Sequence, residues 1–407
     1  MPKLAYLANI FPSSVEPYVV EEIAELQRRG ESVICCSVLR SPEDLEEDLL
    51  RFASQTIYIR PLRFSAVMSA CWMVIRRCST LKHFLRRAIQ RRRPTERRLR
   101  ALLHTALGCY YAVLLRNRGV QHIHVHHGYF GSWVAMVAAR LLNIPFSITL
   151  HGSDLLANAA YLDIKLQSCQ FCVTISEFNR RYILGNYPEI DSEKVYVRRM
   201  GVDCSQTLRQ DARAEDSPLR MLAVGRLHQV KDHAFLVRAC HQLETRGSRF
   251  VCSIAGEGPE RAHLEALIQN LNLQREIRLL GQLSRIELDQ QYETADVVVL
   301  TSRSEGIPLT LMEAMAREKL VLAPAITGIP ELVVDGETGF LFRAGLVDDF
   351  IAKVERITSA GCGFGEIRWQ AREHVTRHFN RVKNLPAFCE LLLANIRDNS
   401  DRVSAAA

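Results

Sequence analysis

No run of about 18 uninterrupted apolar residues occurs in this chain, so no membrane-spanning helix is expected. No second cysteine pair stands at zinc spacing from Cys169-x-x-Cys172. Beside Phe171 and Val173 to Ile175 those two cysteines read as small core residues, with a redox or metal site the lesser alternative. The other cysteines, among them Cys35, Cys36, Cys109, Cys240 and Cys252, are scattered through apolar runs. Met1-Pro2-Lys3 leads straight into the strand-length run Leu4 to Ile10, with no small-residue cleavage site, so a reduced, cytoplasmic protein is expected. Charge of one sign is also missing over most of the chain. The formal net charge is +7, but between Arg76 and Arg100 eleven Lys or Arg face one acid, Glu96. That stretch carries +10 and the remainder sums to −3, so the chain has one basic segment rather than a basic surface.

What is present is ordinary for globular domains: 48% hydrophobic and 24% charged residues. A length of 407 residues suits two domains. Strand-like and helix-like segments alternate. Leu4 to Ile10 reads as a strand, and Pro17 to Arg29 as a helix with Val19, Val20, Ile23 and Leu26 on one face, stopped by Gly30. Ser32 to Leu39, His122 to Val125, Pro145 to Leu150 and Cys172 to Ser176 read as further strands, and Trp133 to Leu142 as a helix. The polar stretch Asp211 to Pro218 lacks periodicity and reads as a linker. The alternation then restarts. Leu219 to Val224, Phe250 to Ala255, Ile277 to Leu280, Val297 to Leu300 and Leu320 to Ala323 read as strands, with helices over His233 to Arg246, Glu260 to Leu271 and Leu309 to Arg317. Such alternation implies parallel sheets covered by helices. Two such α/β domains would face a cleft lined by strand carboxyl ends, where open α/β folds bind ligands.

Several turns at those strand ends carry chemistry. Ser304-Glu305-Gly306-Ile307-Pro308-Leu309 follows a strand and opens a helix, so free backbone N–H groups and the positive helix end form an anion site. Glu313 lies eight residues after Glu305, about two turns if helical, so both could face one ligand. Glu313 is flanked by Leu311, Met312, Ala314 and Met315, and an acid inside an apolar helix is costly without a partner. Arg226, leaving the strand at Val224-Gly225, and Lys231 five residues on would suit a diphosphate; two surface cations are the alternative. Gly256-Glu257-Gly258-Pro259 makes a tight turn at another strand end.

As an ordered set these residues resemble glycosyltransferase family 4. The set is Val224-Gly225-Arg226-Leu227, Lys231-Asp232, Gly256-Glu257-Gly258-Pro259, Ser302 to Pro308, Glu313-Ala314-Met315-Ala316, Gly328-Ile329-Pro330-Glu331 and Asp335-Gly336-Glu337-Thr338-Gly339. The resemblance implies a GT-B fold, two Rossmann-like doubly wound parallel-sheet domains, and transfer with retention of anomeric configuration. It implies an acceptor domain over 1–210, with a basic helical segment at 62–118, and a nucleotide-sugar domain over 217–375. It implies a helix at 376–398 that crosses back to the first domain. Arg226 and Lys231 would clamp the donor diphosphate, Glu313 the ribose, Glu305 the donor sugar hydroxyls, and backbone N–H groups of Gly306, Ile307, Pro308's neighbour and Leu309 the sugar and phosphate. Gly256 and Gly258 would border the nucleotide, and the base would lie near Leu279 to Leu283. In the first domain His126 of His124-Val125-His126-His127-Gly128 and His151 of Thr149-Leu150-His151-Gly152-Ser153-Asp154 are implied at the sugar-facing edge, unless they merely satisfy strand-end backbone groups. Glu305, His126, Arg226 and Lys231 are the catalytic candidates.

Phe11-Pro12-Ser13-Ser14-Val15-Glu16, Ile175-Ser176-Glu177-Phe178-Asn179 and Met200-Gly201-Val202-Asp203 resemble a subgroup that acts in extracellular-polysaccharide assembly, including colanic-acid-type enzymes. Three departures stand out. Pro12-Ser13-Ser14 stands where many members carry a glycine pair, Thr301 replaces a usual proline, and Glu318-Lys319-Leu320 stands where Gly-x-Pro is common; the last two read as surface or packing drift.

No Asp-x-Asp occurs in the chain, so no metal is expected and fixed cations with a helix end would neutralise the leaving group. Without an obvious carboxylate nucleophile, attack from the face that the diphosphate leaves is expected. The expected partners are a UDP- or GDP-sugar and a polysaccharide or lipid-linked acceptor, with no cofactor and no nucleic acid. Phe64 to Leu115 mixes Trp72, Met73, Val74, Ile75, Leu81, Phe84 and Leu85 with Arg76, Arg77, Lys82, Arg86, Arg87 and Arg91-Arg92-Arg93, as a basic amphipathic helix or two. Such a segment suits either an anionic membrane surface or a solvated helical face. Other readings are a different GT-B enzyme, such as a sugar-nucleotide epimerase or phosphorylase, or a non-enzymatic binder of membrane or nucleic acid.

Overall fold

The computed structural model describes residues 3–13, 16–41, 45, 47–89, 94–156, 159, 161–205, 217–359 and 363–405, with backbone alone at 83 and 399–405. The chain divides into two compact units, residues 1–198 with 385–407, and residues 199–384. Residues 199–205, expected in the first domain, belong to the second unit. Most of the expected linker, 211–216, lies outside the described residues, as do Ser14, Val15 and Arg91 to Arg93.

The first unit runs β1 (Lys3–Ile10), α1 (Pro17–Arg28), β2 (Ser32–Leu39), α2 (Glu47–Gln55), β3 (Ile57–Tyr58), α3 (Phe64–Arg76), α4 (Cys78–Ala88), α5 (Thr95–Leu115), β4 (His122–His126), α6 (Phe130–Leu142), β5 (Phe146–Leu150), α7 (Ser153–Leu156), α8 (Leu162–Ser168), β6 (Cys172–Thr174), α9 (Glu177–Asn186) and β7 (Val195–Val197). Its strands form a seven-stranded sheet in the order β3-β2-β1-β4-β5-β6-β7, with every pairing parallel. Strands buried on both faces need near-continuous apolar runs, and Leu4 to Ala8 supplies one. Pro17 starts α1 at a position where a missing N–H is harmless, and Gly30, at φ 83, turns the chain out of it.

The second unit runs β8 (Leu219–Val224), α10 (His233–Thr245), β9 (Phe250–Ala255), α11 (Arg261–Asn270), β10 (Ile277–Gly281), α12 (Arg285–Thr294), β11 (Val297–Val299), α13 (Leu309–Ala316), β12 (Leu320–Pro324), β13 (Phe340–Phe342), α14 (Val347–Ser359) and α15 (Gly365–His378). Its six-stranded sheet has the order β10-β9-β8-β11-β12-β13, again all parallel. The last helix, α16 (Arg381–Ala405), joins the first unit from Leu385 onward. There Phe388, Cys389, Leu392, Leu393 and Ile396 share a core with Leu4, Tyr6, Val19, Ile23 and Leu26.

In each sheet the strand order reverses once, between β1 and β4 and between β8 and β11. The two loops that leave such a switch point diverge and leave a crevice at the strand carboxyl ends, the usual ligand position in this architecture. Cys169 and Cys172 are free and buried, and burial pushes the Cys169 thiol up to about 12. That is the core placement expected of them.

The basic segment forms α3, α4 and the start of α5, with Leu81 and Phe84 buried and Leu85 packed against the core. The outward apolar stripe is a different set, Phe64, Met68, Trp72 and Ile75 on α3 with Leu99 and Leu103 on α5. No helix among the described residues is long and apolar enough to cross a membrane.

Candidate active site

In the second unit the switch-point loops are joined by an ion pair. Lys231, in the turn after β8, places Nζ 2.6 Å from Oε1 of Glu305, in the loop after β11. Ser302 donates its hydroxyl to the same oxygen at 2.6 Å. The Thr301 hydroxyl donates to the carbonyls of Lys231 at 3.1 Å and Asp232 at 3.2 Å. The backbone N–H of Arg303 donates to Val230 at 2.8 Å. Thr301 therefore ties the two loops together, which corrects its reading as drift: a proline has no hydroxyl to make these bonds.

Arg226 is exposed in the turn directly after β8. The turn is seated on β9's end. The N–H of Leu227 donates to Glu257 at 2.9 Å and that of Gly225 to Ala255 at 2.9 Å. A Cβ on Gly256 would stand 2.1 Å from the Gly225 carbonyl oxygen, and one on Gly258 2.4 Å from that of Leu227. These two glycines are required by backbone approach. Close approach also explains Gly328, where a Cβ would meet the Gly306 oxygen at 2.3 Å.

Helix α13 begins at Leu309, with Pro308 as its cap residue and Ile307 and Pro308 buried. Glu305 precedes that helix, so it does not share a helical face with Glu313, contrary to the expected spacing. Glu313 has the partners its apolar setting demands. Arg285 meets Oε1 at 2.6 Å and the Tyr292 hydroxyl donates to Oε2 at 3.0 Å. Sequence reasoning missed Arg285 and Tyr292, which lie on α12 with no motif around them. Glu318 takes φ +55, which accounts for the glycine common there, and Lys319, nearly buried, donates to the Glu293 carbonyl at 2.7 Å.

In the first unit the cluster lies between the ends of β4 and β5. His126 is 0% exposed, and its Nε2 lies 2.9 Å from Oε2 of Glu22. Its Nδ1 lies 2.9 Å from Nε2 of His151. The Tyr6 hydroxyl donates to the same Glu22 oxygen. Both His126 nitrogens are thus engaged by protein partners. Glu22 was missed, although its signal was available. It stands at helical spacing with Val19, Ile23 and Leu26 on the buried stripe of α1.

Asp154 binds the loops together, accepting from the N–H groups of Gly128 at 2.8 Å, His151 at 3.1 Å and Gly152 at 2.7 Å. Burial opposes its charge, but the His127 side chain and these N–H groups outweigh burial and hold its carboxyl well below the usual range. Burial likewise opposes a charged His127, yet the carboxylates of Asp154, 3.7 Å from its Nδ1, and Glu16, 3.0 Å from its Nε2, lift it to about 10. Lys165 is wholly buried and donates to the Gly128 and Tyr129 carbonyls at 2.8 and 2.7 Å. Burial pushes it down to about 7, with Asp154 and Asp163 opposing. Burial also pushes down His151, as do the neighbouring His127 and His126.

Glu22, His124 and His126 offer ligand atoms within 4.8 Å of one another, the metal-compatible group found among the described residues. The His124 nitrogens already contact Ser147 at 2.8 Å and Thr149 at 3.1 Å. With the His126 nitrogens also engaged, an ion held here would have to displace these bonds.

The comparisons with known proteins follow this division. Residues 15–206 match the family model Glycosyltransferase Family 4, and residues 205–372 match Glycosyl transferases group 1. The chain is 34% identical over 196 residues to a putative colanic acid biosynthesis glycosyltransferase, WcaL, of Salmonella typhimurium, covering 46% of this chain and 48% of that protein. It is 31% identical over 196 residues to the amylovoran biosynthesis glycosyltransferase AmsK of Erwinia amylovora, covering 47% and 48%. The chain thus spans about half the length of these curated relatives in the matched region. In fold it is similar to Anabaena Alr3699/HepE, solved in complex with UDP, at TM-score 0.69 and 16% identity over 96% of this chain and 100% of that one. The chain therefore has the GT-B fold, with the Glycosyltransferase Family 4 model matched first along the chain and the Glycosyl transferases group 1 model after it.

Proposed function

We propose that this protein is a retaining glycosyltransferase that moves a sugar from a UDP- or GDP-linked donor to a glycan or lipid-linked acceptor in bacterial surface-polysaccharide assembly. The observation that carries the reading is the Lys231–Glu305 pair at the switch point of the second sheet, beside the amino end of α13. A cation and a carboxylate that neutralise each other at a ligand crevice can be redeployed: the ammonium to a diphosphate oxygen, the carboxylate to sugar hydroxyls. Arg226, exposed one turn away in sequence, adds a second cation, and the helix end adds N–H groups. Glu313, already oriented by Arg285 and Tyr292, is suited to accept from ribose hydroxyls. The WcaL and AmsK likenesses support the polysaccharide setting.

In this mechanism the acceptor hydroxyl attacks the anomeric carbon on the face the diphosphate leaves. The glycosidic C–O bond forms as the C–O bond to phosphate breaks, and the departing phosphate oxygen takes the hydroxyl proton. The transition state resembles an oxocarbenium ion beside a separating anion. Lys231, Arg226 and the α13 amino end meet that anion without reorganising, which is electrostatic preorganisation, and no metal is required. Donor-hydrolysis screening across UDP- and GDP-sugars, with magnesium chelated, tests the reading. Release of UDP or GDP from at least one donor is expected, and release from none would overturn it.

A lipid-linked acceptor would bring the enzyme to a membrane surface. Phe64, Met68, Trp72 and Ile75 are exposed on α3, where Arg76 lies over the Trp72 ring, and Arg77, Lys82, Arg86, Arg97 and Arg100 of the same segment are exposed as well. Each such cation contributes about 1 kcal/mol near anionic lipid. Sedimentation with anionic vesicles at low salt, and its loss in Trp72→Ala with Arg76→Ala, is the expected outcome. Equal sedimentation with neutral vesicles would contradict it.

A further inference from the structure

The hydrogen-bond directions around His126 can be followed from one end. Oε2 of Glu22 accepts from the Tyr6 hydroxyl. A carboxylate only accepts, so at 2.9 Å His126 must present Nε2–H to it. With Nε2 protonated, a neutral His126 has a bare Nδ1. That atom lies 2.9 Å from Nε2 of His151, so His151 must supply the proton as Nε2–H. His151 then has a bare Nδ1, and that nitrogen is buried with no hydrogen-bond partner among the described residues. His151 as a whole keeps 9% of its surface open.

We propose that Glu22 is a positioning residue that, through His126, fixes His151 in the tautomer whose Nδ1 is a hydrogen-bond acceptor for a sugar hydroxyl. The proposal rests on the transferase reading for the identity of the hydroxyl, and on the side-chain chain alone for the tautomer. A buried nitrogen without a partner costs stability, and a ligand hydroxyl supplies the missing donor. The surroundings hold His151 neutral. His126, His127, Asp154 and Tyr18 face it, with the Tyr18 and His127 ring centroids each 4.6 Å away. His127, charged through Glu16 and Asp154, repels a second proton on the His151 ring. Tyr6, Tyr18, His124 and His127 surround His126 in turn.

The test is imidazole nitrogen NMR on the full chain with labelled histidine, assigned by His126→Gln and His151→Gln. The wild type is expected to show Nε2–H with an unprotonated Nδ1 on both His126 and His151. Nδ1–H on His151 in the ligand-free protein would overturn the proposal. Glu22→Met removes the acceptor and should mix or reverse the two tautomers, whereas Glu22→Gln, which can place its carbonyl oxygen at the same spot, should keep them. Unchanged tautomers in Glu22→Met would also overturn it. In turnover, Glu22→Met should raise KM for one sugar substrate about tenfold more than it lowers kcat, with Glu22→Gln restoring it. A wild type with the expected tautomers but no transfer on any donor would sink the transferase reading and leave the tautomer assignment standing, so the two failures are separable. If Glu22→Met does not fold, the wild-type spectrum alone decides.

Discussion

The two units place their chemistry at equivalent points of similar sheets but by opposite means. In the second, Lys231 and Glu305 meet with side chains 19% and 11% exposed, on loops stapled by Thr301. In the first, His126 and Glu22 meet at 0% and 7% exposure, inside a network that includes Tyr6, His151, Asp154 and Lys165. Each loop also holds one non-glycine residue in the left-handed region, Asp232 at φ 48 and His127 at φ 71, a strain that only a well-supported loop sustains. An open pair is free to exchange its partner for a ligand. A buried network instead sets which atoms its outermost residue presents. The comparison teaches that one unit is built for charge exchange and the other for orientation.

The largest effect that would break this comparison is loss of turnover from the open pair. Lys231→Ala and Glu305→Ala are each expected to lower kcat at least about 100-fold, with circular dichroism and melting of the protein little changed. Near wild-type rates in both would remove the charge-exchange role. Glu313→Ala should act on donor binding, raising donor KM about tenfold for the loss of hydrogen bonds to a charged group. An unchanged KM would detach Glu313 from the ribose. Gly256→Ala tests the backbone seat of the Arg226 turn. Its Cβ would stand 2.1 Å from the Gly225 oxygen at a φ of +141, so a stability loss of about 1–3 kcal/mol is expected in urea unfolding.

The smallest effect sharpens the buried side. His127, raised to about 10, binds more protons folded than unfolded between its ordinary value near 6.5 and about 10. Its contribution is complete below the lower value and lost as pH rises through the upper. Lys165, lowered to about 7, binds fewer protons folded than unfolded up to its ordinary value near 10.4. Its penalty applies in full below about 7 and fades as pH rises. Over about pH 7 to 10 the two slopes oppose each other. His127→Asn should therefore make first-unit stability rise with pH in that window, and Lys165→Met should make it fall. Urea unfolding followed by Trp133 fluorescence, with Trp72 and Trp369 replaced by Phe, reads both. Parallel pH profiles in the two variants would contradict the opposition.

Much of the fold was legible because fully buried parallel strands are continuous apolar runs. Leu4 to Ile10, Ser32 to Leu39 and Phe250 to Ala255 could hardly read otherwise. The short edge strands β3, β7 and β13, at two or three residues, carry too few positions to show a period. The Lys231 and Glu305 loops were visible as motifs, since a ligand crevice fixes residue types at fixed spacing. Their direct pairing was not, because it depends on β8 and β11 being neighbours across 74 residues of chain. Glu22 was hidden for the same reason. Its partner His126 is 104 residues away, and an acid on a helix reads as solvated unless its buried neighbours are weighed.

Calorimetric titration of UDP and GDP into the wild type and Lys231→Ala, in chelator and without magnesium, reads whether Lys231 holds a nucleotide diphosphate. At least one nucleotide is expected to bind the wild type, and Lys231→Ala to weaken that binding at least about tenfold. Equal affinity in the two proteins, or no binding of either nucleotide to the wild type, would contradict it.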